Sequence, residues 1–288
     1  MSSKKIGIVG YGYVGKAMRQ FFEGYYEVRI YDPILPPKKH PWAATKERIN
    51  ECDVAVICAP TPALPDGRCD TSAVEESVRW VECPLIVLKS TVPVGTTDRL
   101  QDETGKTIVF SPEYCGESTY WSPYKFDTEI KETPFFTFGG SPEATSQLVG
   151  LYLPITGPVK TYRQTTARAA ELAKYMANTY FATKIAFCYE FAGICKAVGV
   201  DYYQVRELFL LDPRVEPMHT AVFEGNARPF SGKCLPKDLN ALIAFSKEAG
   251  YHPELLAEVQ RSNERISKLR QPPAVQPAKP RRKHQQSA

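Results

Sequence analysis

Histidine is scarce in this chain, with four scattered through 288 residues, and none of the eight cysteines forms a Cys-x-x-Cys pair. Zinc spacing is therefore missing. Eight cysteines in this length are also too sparse for a disulfide scaffold, so they read as thiols. No apolar run approaches the roughly 18 residues of a membrane span. Met1-Ser2-Ser3-Lys4-Lys5 leads straight into a strand-like run without a secretion pattern. The body of the chain has no basic excess either. Arg270, Lys279, Arg281, Arg282 and Lys283 stand in a C-terminal stretch without acids, leaving 31 basic against 32 acidic residues elsewhere. A nucleic-acid binder carries its basic surface on the fold itself, so the near-neutral body argues against that class. The expectation is a soluble, cytoplasmic protein.

What is present has the proportions of a globular chain, 43% hydrophobic and 24% charged, and a length that implies two domains. Lys5–Val9, Tyr26–Tyr31, Val54–Ala59, Leu85–Leu88 and Thr107–Phe110 read as buried strands separated by helix-length segments. Such alternation implies an α/β fold, an N-terminal Rossmann-type parallel sheet, over residues 1–162. From about Thr165 the pattern changes. Residues 166–198 contain no proline and only Gly193, with Leu172, Tyr175, Met176, Thr179, Ala182, Ile185 and Ala186 at helical spacing. This predicts one long helix or two, opening an all-helical domain over 163–269. Helices are expected at Tyr203–Leu211, Lys237–Ala249 and Pro253–Lys268. Residues 270–288 read as a disordered Pro-rich basic tail, a solvated terminus or a dock for an acidic partner or membrane surface.

Gly10-Tyr11-Gly12-Tyr13-Val14-Gly15 follows the first strand and precedes a helix expected at Lys16–Phe22. In such a run the first glycine makes a tight turn, the second admits a pyrophosphate, and the third lets helix and strand pack closely. The helix N-terminus faces the phosphates. Asp32, at the end of the second strand, can accept from both ribose hydroxyls and repels a 2′-phosphate, which favours NAD over NADP.

Three later segments carry polar residues beyond structural need. Lys89-Ser90-Thr91-Val92-Pro93-Val94-Gly95-Thr96 is a hydroxyl-rich loop ahead of a helix. In Ser111-Pro112-Glu113-Tyr114-Cys115-Gly116-Glu117, Glu113 and Glu117 stack if the segment is helical. In Phe230-Ser231-Gly232-Lys233-Cys234-Leu235-Pro236-Lys237-Asp238, Pro236 suits a first helical turn. That places Cys234 at a helix N-terminus between Lys233 and Lys237, where a thiol's pKa falls and a thiolate nucleophile is available. The other seven cysteines read as small buried hydrophobes. Lys174 and Asn178, four apart on the long helix, project from one face as a substrate-binding pair.

Taken together these segments resemble the UDP-glucose 6-dehydrogenase family, and more broadly the UDP-sugar and GDP-mannose dehydrogenases. The resemblance runs over roughly residues 5–265, through Gly10–Gly15, Ala59-Pro60-Thr61-Pro62, Lys89–Thr96, Ser111-Pro112-Glu113, Glu171–Asn178 and Cys234–Asp238. It implies NAD-dependent oxidation of a sugar's primary alcohol to a carboxylate in two steps. Cys234 would form a thiohemiacetal and then a thioester, and Lys174 and Asn178 would stabilise the oxyanion. Asp238 would serve the hydrolytic water, with Thr91 and Glu117 assisting deprotonation and water ordering. It further implies Pro60, Thr61, Thr91, Glu117 and Lys237 at the cofactor, and Glu113, Phe230 and Gly232 with the catalytic residues at the substrate.

The sequence departs from that family in three places: Phe230-Ser231-Gly232 replaces an aromatic followed by Gly-Gly, Cys115-Gly116 replaces Leu-Arg, and Tyr189 precedes Glu190 where Asn is usual. Family members continue into a third domain that holds much of the nucleotide, so a partner supplying that half, or an altered substrate, is expected. Phe181, Phe187 and Phe191 on the long helix imply a homodimer, as in relatives. Two alternatives stay open: a one-step β-hydroxyacid-type dehydrogenase, which lacks the Cys-x-x-Lys-Asp nucleophile, and a non-catalytic NAD-binding relative.

Overall fold

The computed structural model describes residues 4–114, 129–223, 229–230, 232 and 234–270. Five strands form where the apolar runs predict them: β1 (Lys5–Val9), β2 (Glu27–Tyr31), β3 (Val54–Ile57), β4 (Leu85–Leu88) and β5 (Ile108–Phe110). Period-two geometry sends alternate side chains to opposite faces, and both faces are apolar. Val54, Val56, Leu85, Val87 and Val109 pack on one side with α1 (Tyr13–Phe22) and α5 (Pro142–Thr156). Ala55, Ile57, Ile86, Leu88, Ile108 and Phe110 pack on the other with Val74, Val78 and Leu100. Those three lie on α3 (Ser72–Trp80) and α4 (Thr96–Thr104), while the short α2 (Lys46–Asn50) contributes Ile49.

Two strands, β6 (Phe135–Gly139) and β7 (Thr161–Thr165), extend the expected sheet to the order β2-β1-β3-β4-β5-β6-β7. β6 joins β5 antiparallel through Phe110 and Gly139, so the sheet is mostly rather than wholly parallel. β7, Thr-Tyr-Arg-Gln-Thr, has no apolar alternation because it is an edge. The sheet thus ends at Thr165, beyond residue 162.

The region after the sheet is helical: α6 (Ala167–Val198), α7 (Tyr202–Phe209), α8 (Leu235–Glu248) and α9 (Glu254–Arg270). α6 is a single helix of 32 residues, capped by the Thr166 side chain and ended at Gly199 in the left-handed region. Its apolar residues divide between two faces. Tyr175, Thr179, Ala182, Ile185 and Ala186 are buried, whereas Leu172 and Met176 are exposed together with Tyr180, Phe187, Phe191, Ile194 and Val198. At 100° per residue the exposed set occupies one arc about 100° wide, separate from the buried one. Phe181 instead packs on His219, with ring centroids 4.8 Å apart.

Lys106 stabilises the end of α3 from outside that helix. Its Nζ donates to Val78 O, Arg79 O and Val81 O at 3.1, 2.8 and 2.7 Å, and to Glu82 Oε1 at 2.9 Å. These are carbonyls that a helix C-terminus leaves unpaired. Lys106→Met is expected to lose about 1–3 kcal/mol, read as a lower urea midpoint.

Candidate active site

The strand order reverses between β1 and β3, and the crevice beyond their carboxyl ends is where such sheets take ligands. Gly10 sits there at φ +93°, donating its N–H to Tyr31 O at 2.8 Å. A Cβ on Gly10 would stand 2.8 Å from Cys58 O, and one on Gly15 would stand 2.0 Å from Gly10 O. Gly12 differs: a Cβ there meets nothing within 4 Å, so the backbone faces open space at the start of α1, where no side chain caps the helix. That is the form of a pyrophosphate cradle. α1 begins at Tyr13 rather than Lys16; Tyr13 is exposed, and Val14 packs against the core.

Asp32 stands at the end of β2, beside the glycine turn. Its Oδ2 accepts from Tyr11 N at 2.7 Å and its Oδ1 from Ile34 N at 3.0 Å, which fixes the carboxylate beside the glycine turn. The Tyr11 ring lies 5.3 Å from Trp42. Pro60 is exposed in the loop after β3, and Thr61 donates to Thr91 O at 2.9 Å, tying the loops after β3 and β4 together.

The helical region brings the remaining residues to those loops. Asp238 is 1% exposed, and each of its oxygens has one strong donor. Asn178 Nδ2 reaches Oδ2 at 2.5 Å and Lys237 Nζ reaches Oδ1 at 2.5 Å. Lys237 Nζ also lies 3.5 Å from Thr61 Oγ1 and 3.6 Å from Cys69 Sγ. Burial works against its charge, but Asp238 and Cys69 outweigh it and hold the Lys237 pKa above its ordinary value. Tyr175, beside Cys69 at 3.8 Å, has its hydroxyl pushed up by burial.

Lys174, 6% exposed, donates to Glu113 O at 2.7 Å and stands 4.9 Å over the Tyr114 ring. Residues 111–114 are irregular rather than helical, because Lys174 and the buried Lys89 hold their main chain. Lys89 Nζ donates to Ser111 Oγ at 3.3 Å and Pro112 O at 3.4 Å. Cys234 is the N-cap of α8, an exposed reduced thiol whose carbonyl accepts from Asp238 N at 2.9 Å. Phe230 is clamped by Asn263, which accepts from its N and donates to its O, both at 3.2 Å. Gly232 follows at φ +90°. Cys115, Gly116, Glu117, Ser231, Lys233 and the tail 271–288 lie outside the described residues.

Sequence reasoning gave no role to Cys69, Lys89, Glu171 or Asn263. Only Glu171 carried a usable signal, standing three residues before Lys174 on the same helical stripe. Among the described residues, no group of three His, Cys, Asp or Glu is placed to hold a metal, and no helix is long and apolar enough to cross a membrane.

Both regions have relatives. Residues 41–127 match the NAD binding domain of the UDP-glucose/GDP-mannose dehydrogenase family, and residues 168–265 match its central domain. A UDP-glucose 6-dehydrogenase of Pseudomonas aeruginosa is 30% identical over 243 residues, 79% of this chain and 52% of that protein. A GDP-mannose 6-dehydrogenase of the same organism is 29% identical, over 76% of this chain and 52% of its own length. The solved UDP-glucose dehydrogenase of Pyrobaculum islandicum superposes with a TM-score of 0.77 at 27% identity, covering 92% of this chain and 68% of that one. The chain thus spans about half the length of the curated relatives it matches. With part of its sheet region and most of its helical region matched to two domains of one family, in the family's order, the chain belongs to the UDP-glucose/GDP-mannose dehydrogenases and carries their NAD-binding domain.

Proposed function

We propose that the chain oxidises the primary alcohol of a nucleotide sugar, UDP-glucose or a similar one, to the uronate, with Cys234 as nucleophile. The observation that carries this reading is the Asn178–Asp238–Lys237 cluster, one helical turn behind the thiol and bonded across to Thr61. An inert fold has no need to bury a carboxylate in that setting. The open backbone at Gly12 and the fixed Asp32 fit a dinucleotide without a 2′-phosphate. Bound NAD supplies a hydride acceptor, used twice per sugar.

The protein's own groups divide the rest of the work. Thr91, with Glu117, assists removal of the alcohol proton as the first hydride leaves the same carbon, which gives the aldehyde. The Cys234 sulfur then bonds the aldehyde carbon to give a thiohemiacetal, and Lys174 stabilises the oxyanion. One of the lysine's three donors is spent on Glu113 O. Loss of a second hydride leaves a thioester. Water attacks its carbonyl carbon, the C–S bond breaks, and the thiol is restored with the carboxylate product. Asp238 has roughly four acceptor positions and serves to orient that water beside its two donors.

The same reading places the activity in the cytoplasm. It pairs two copies through the exposed stripe of α6, and a partner supplies further nucleotide contacts. The β-hydroxyacid alternative is a single oxidation and makes no use of Cys234.

Three outcomes are expected. Incubation with NAD and a panel of UDP- and GDP-sugars yields two NADH per sugar, while Cys234→Ser stalls after the first oxidation. One NADH per substrate, unaffected by Cys234→Ser, would overturn the thioester route. Gly15→Ala loses NAD affinity by more than about tenfold in a fluorescence titration, since overpacking costs typically 1–3 kcal/mol. Phe187→Glu shifts the mass from dimer to monomer by light scattering.

A further inference from the structure

Glu171, Lys174 and Asn178 follow one another on α6 at i, i+3 and i+7, so they form one stripe. Each side chain ends on a different wall of the site. Lys174 holds the segment after β5, Asn178 holds α8, and Glu171 reaches the start of α4. Glu171 has no exposed surface. Its Oε2 accepts from Gly95 N at 2.5 Å, and its Oε1 accepts from Thr97 N at 2.9 Å and Thr97 Oγ1 at 2.6 Å. Gly95 is the N-cap of α4, at φ +89°, and has no side chain with which to cap. The Thr97 N–H that an N-cap Ser or Asp would ordinarily satisfy, and the N–H of Gly95 itself, are therefore capped by a carboxyl group from another helix.

Stability alone is a poor reason for this arrangement. Burial pushes the Glu171 carboxyl up, and the Thr97 and Gly95 hydrogen bonds offset this only in part. A carboxyl raised on folding contributes stability below its ordinary pKa and loses it as pH rises through the raised value. The charged form thus weakens the fold relative to the protonated one. What the three bonds supply is geometry. They join α6 to the helix that follows the Lys89–Thr96 loop, with Thr91 four residues before Gly95.

We propose that Glu171 is a positioning residue: by capping α4 it fixes the rotation and height of α6, and so sets Lys174 against Glu113 and Asn178 against Asp238. The kinetic part of its test rests on the dehydrogenase reading; the labelling part does not.

The experiment compares the full chain with Glu171→Gln, Glu171→Ala and Arg168→Gln. Arg168 joins the same two helices through Asp98 at 2.8 Å, but at the surface, and serves as the control. Acylation of Lys174 by an amine reagent, followed by mass spectrometry, is expected to quicken about tenfold in Glu171→Ala and less in Glu171→Gln, which keeps one acceptor. The rate in Arg168→Gln should match the unmodified chain. With a nucleotide sugar and NAD, kcat should fall about 100-fold in Glu171→Ala while NAD affinity stays within about twofold. Unchanged Lys174 labelling in a folded Glu171 variant overturns the proposal, as does an equal effect from Arg168→Gln. If Glu171→Ala does not fold, Glu171→Gln decides alone. If the unmodified chain oxidises no sugar, the functional reading fails and the labelling still decides the role of Glu171.

Discussion

Asp238 is a carboxylate with almost no contact with water, and such a group is costly unless donors meet both oxygens. The donors come from two helices, Asn178 on α6 and Lys237 on α8, and Lys237 in turn leans on Thr61 and Cys69 from the loop after β3. This buried ion pair is thus one of the points at which the two halves of the chain are tied together. A buried ion pair of this kind adds little net stability over an apolar contact of the same shape. What it does impose is a unique docking, because no neighbouring register of helix and sheet satisfies the same four groups. The thiol at the head of α8 inherits that placement through the hydrogen bond from Asp238 N to Cys234 O.

The five parallel strands and the long helix were legible because their side-chain periods are set by burial on known faces. β1 and β4 fall on the expected residues, and α6 begins and ends within a residue of the proline-free span. β6 and β7 were not legible. β6 joins its neighbour through one antiparallel pair, and β7 is an exposed edge whose polar sequence answers to pairing rather than to the core. On α6, one apolar pattern concealed two. Leu172 and Met176 belong to the outer arc, and only the packing of Tyr175 and Ala182 against neighbours separates the sets.

Within the site, Lys174 and Asn178 could be paired by helical spacing, and Cys234 by its place ahead of Pro236. The contacts of Lys237 could not, since Thr61 and Cys69 stand 176 and 168 residues away in sequence. The turn Pro65-Asp66-Gly67, with Ala63 bridged to Cys69, folds those two side chains inward. Nothing in the local sequence announces which lysine they will meet.

The close approach of α6 to β6 has a mechanical consequence. A Cβ on Gly139 would stand 2.7 Å from the Ala170 Cβ and 2.9 Å from the Ala167 Cα, so helix and sheet touch there almost backbone to backbone. That contact is a fulcrum, and the remainder of α6 is a lever arm. Asn178 lies about 12 Å along the arm, where a tilt of about 5° sweeps roughly 1 Å. Val198 lies about 42 Å along it, and the same tilt sweeps nearly 4 Å. A methyl group added at the fulcrum is therefore magnified toward the far end, and the tolerance of the whole helical half is set by the smallest side chains in the chain.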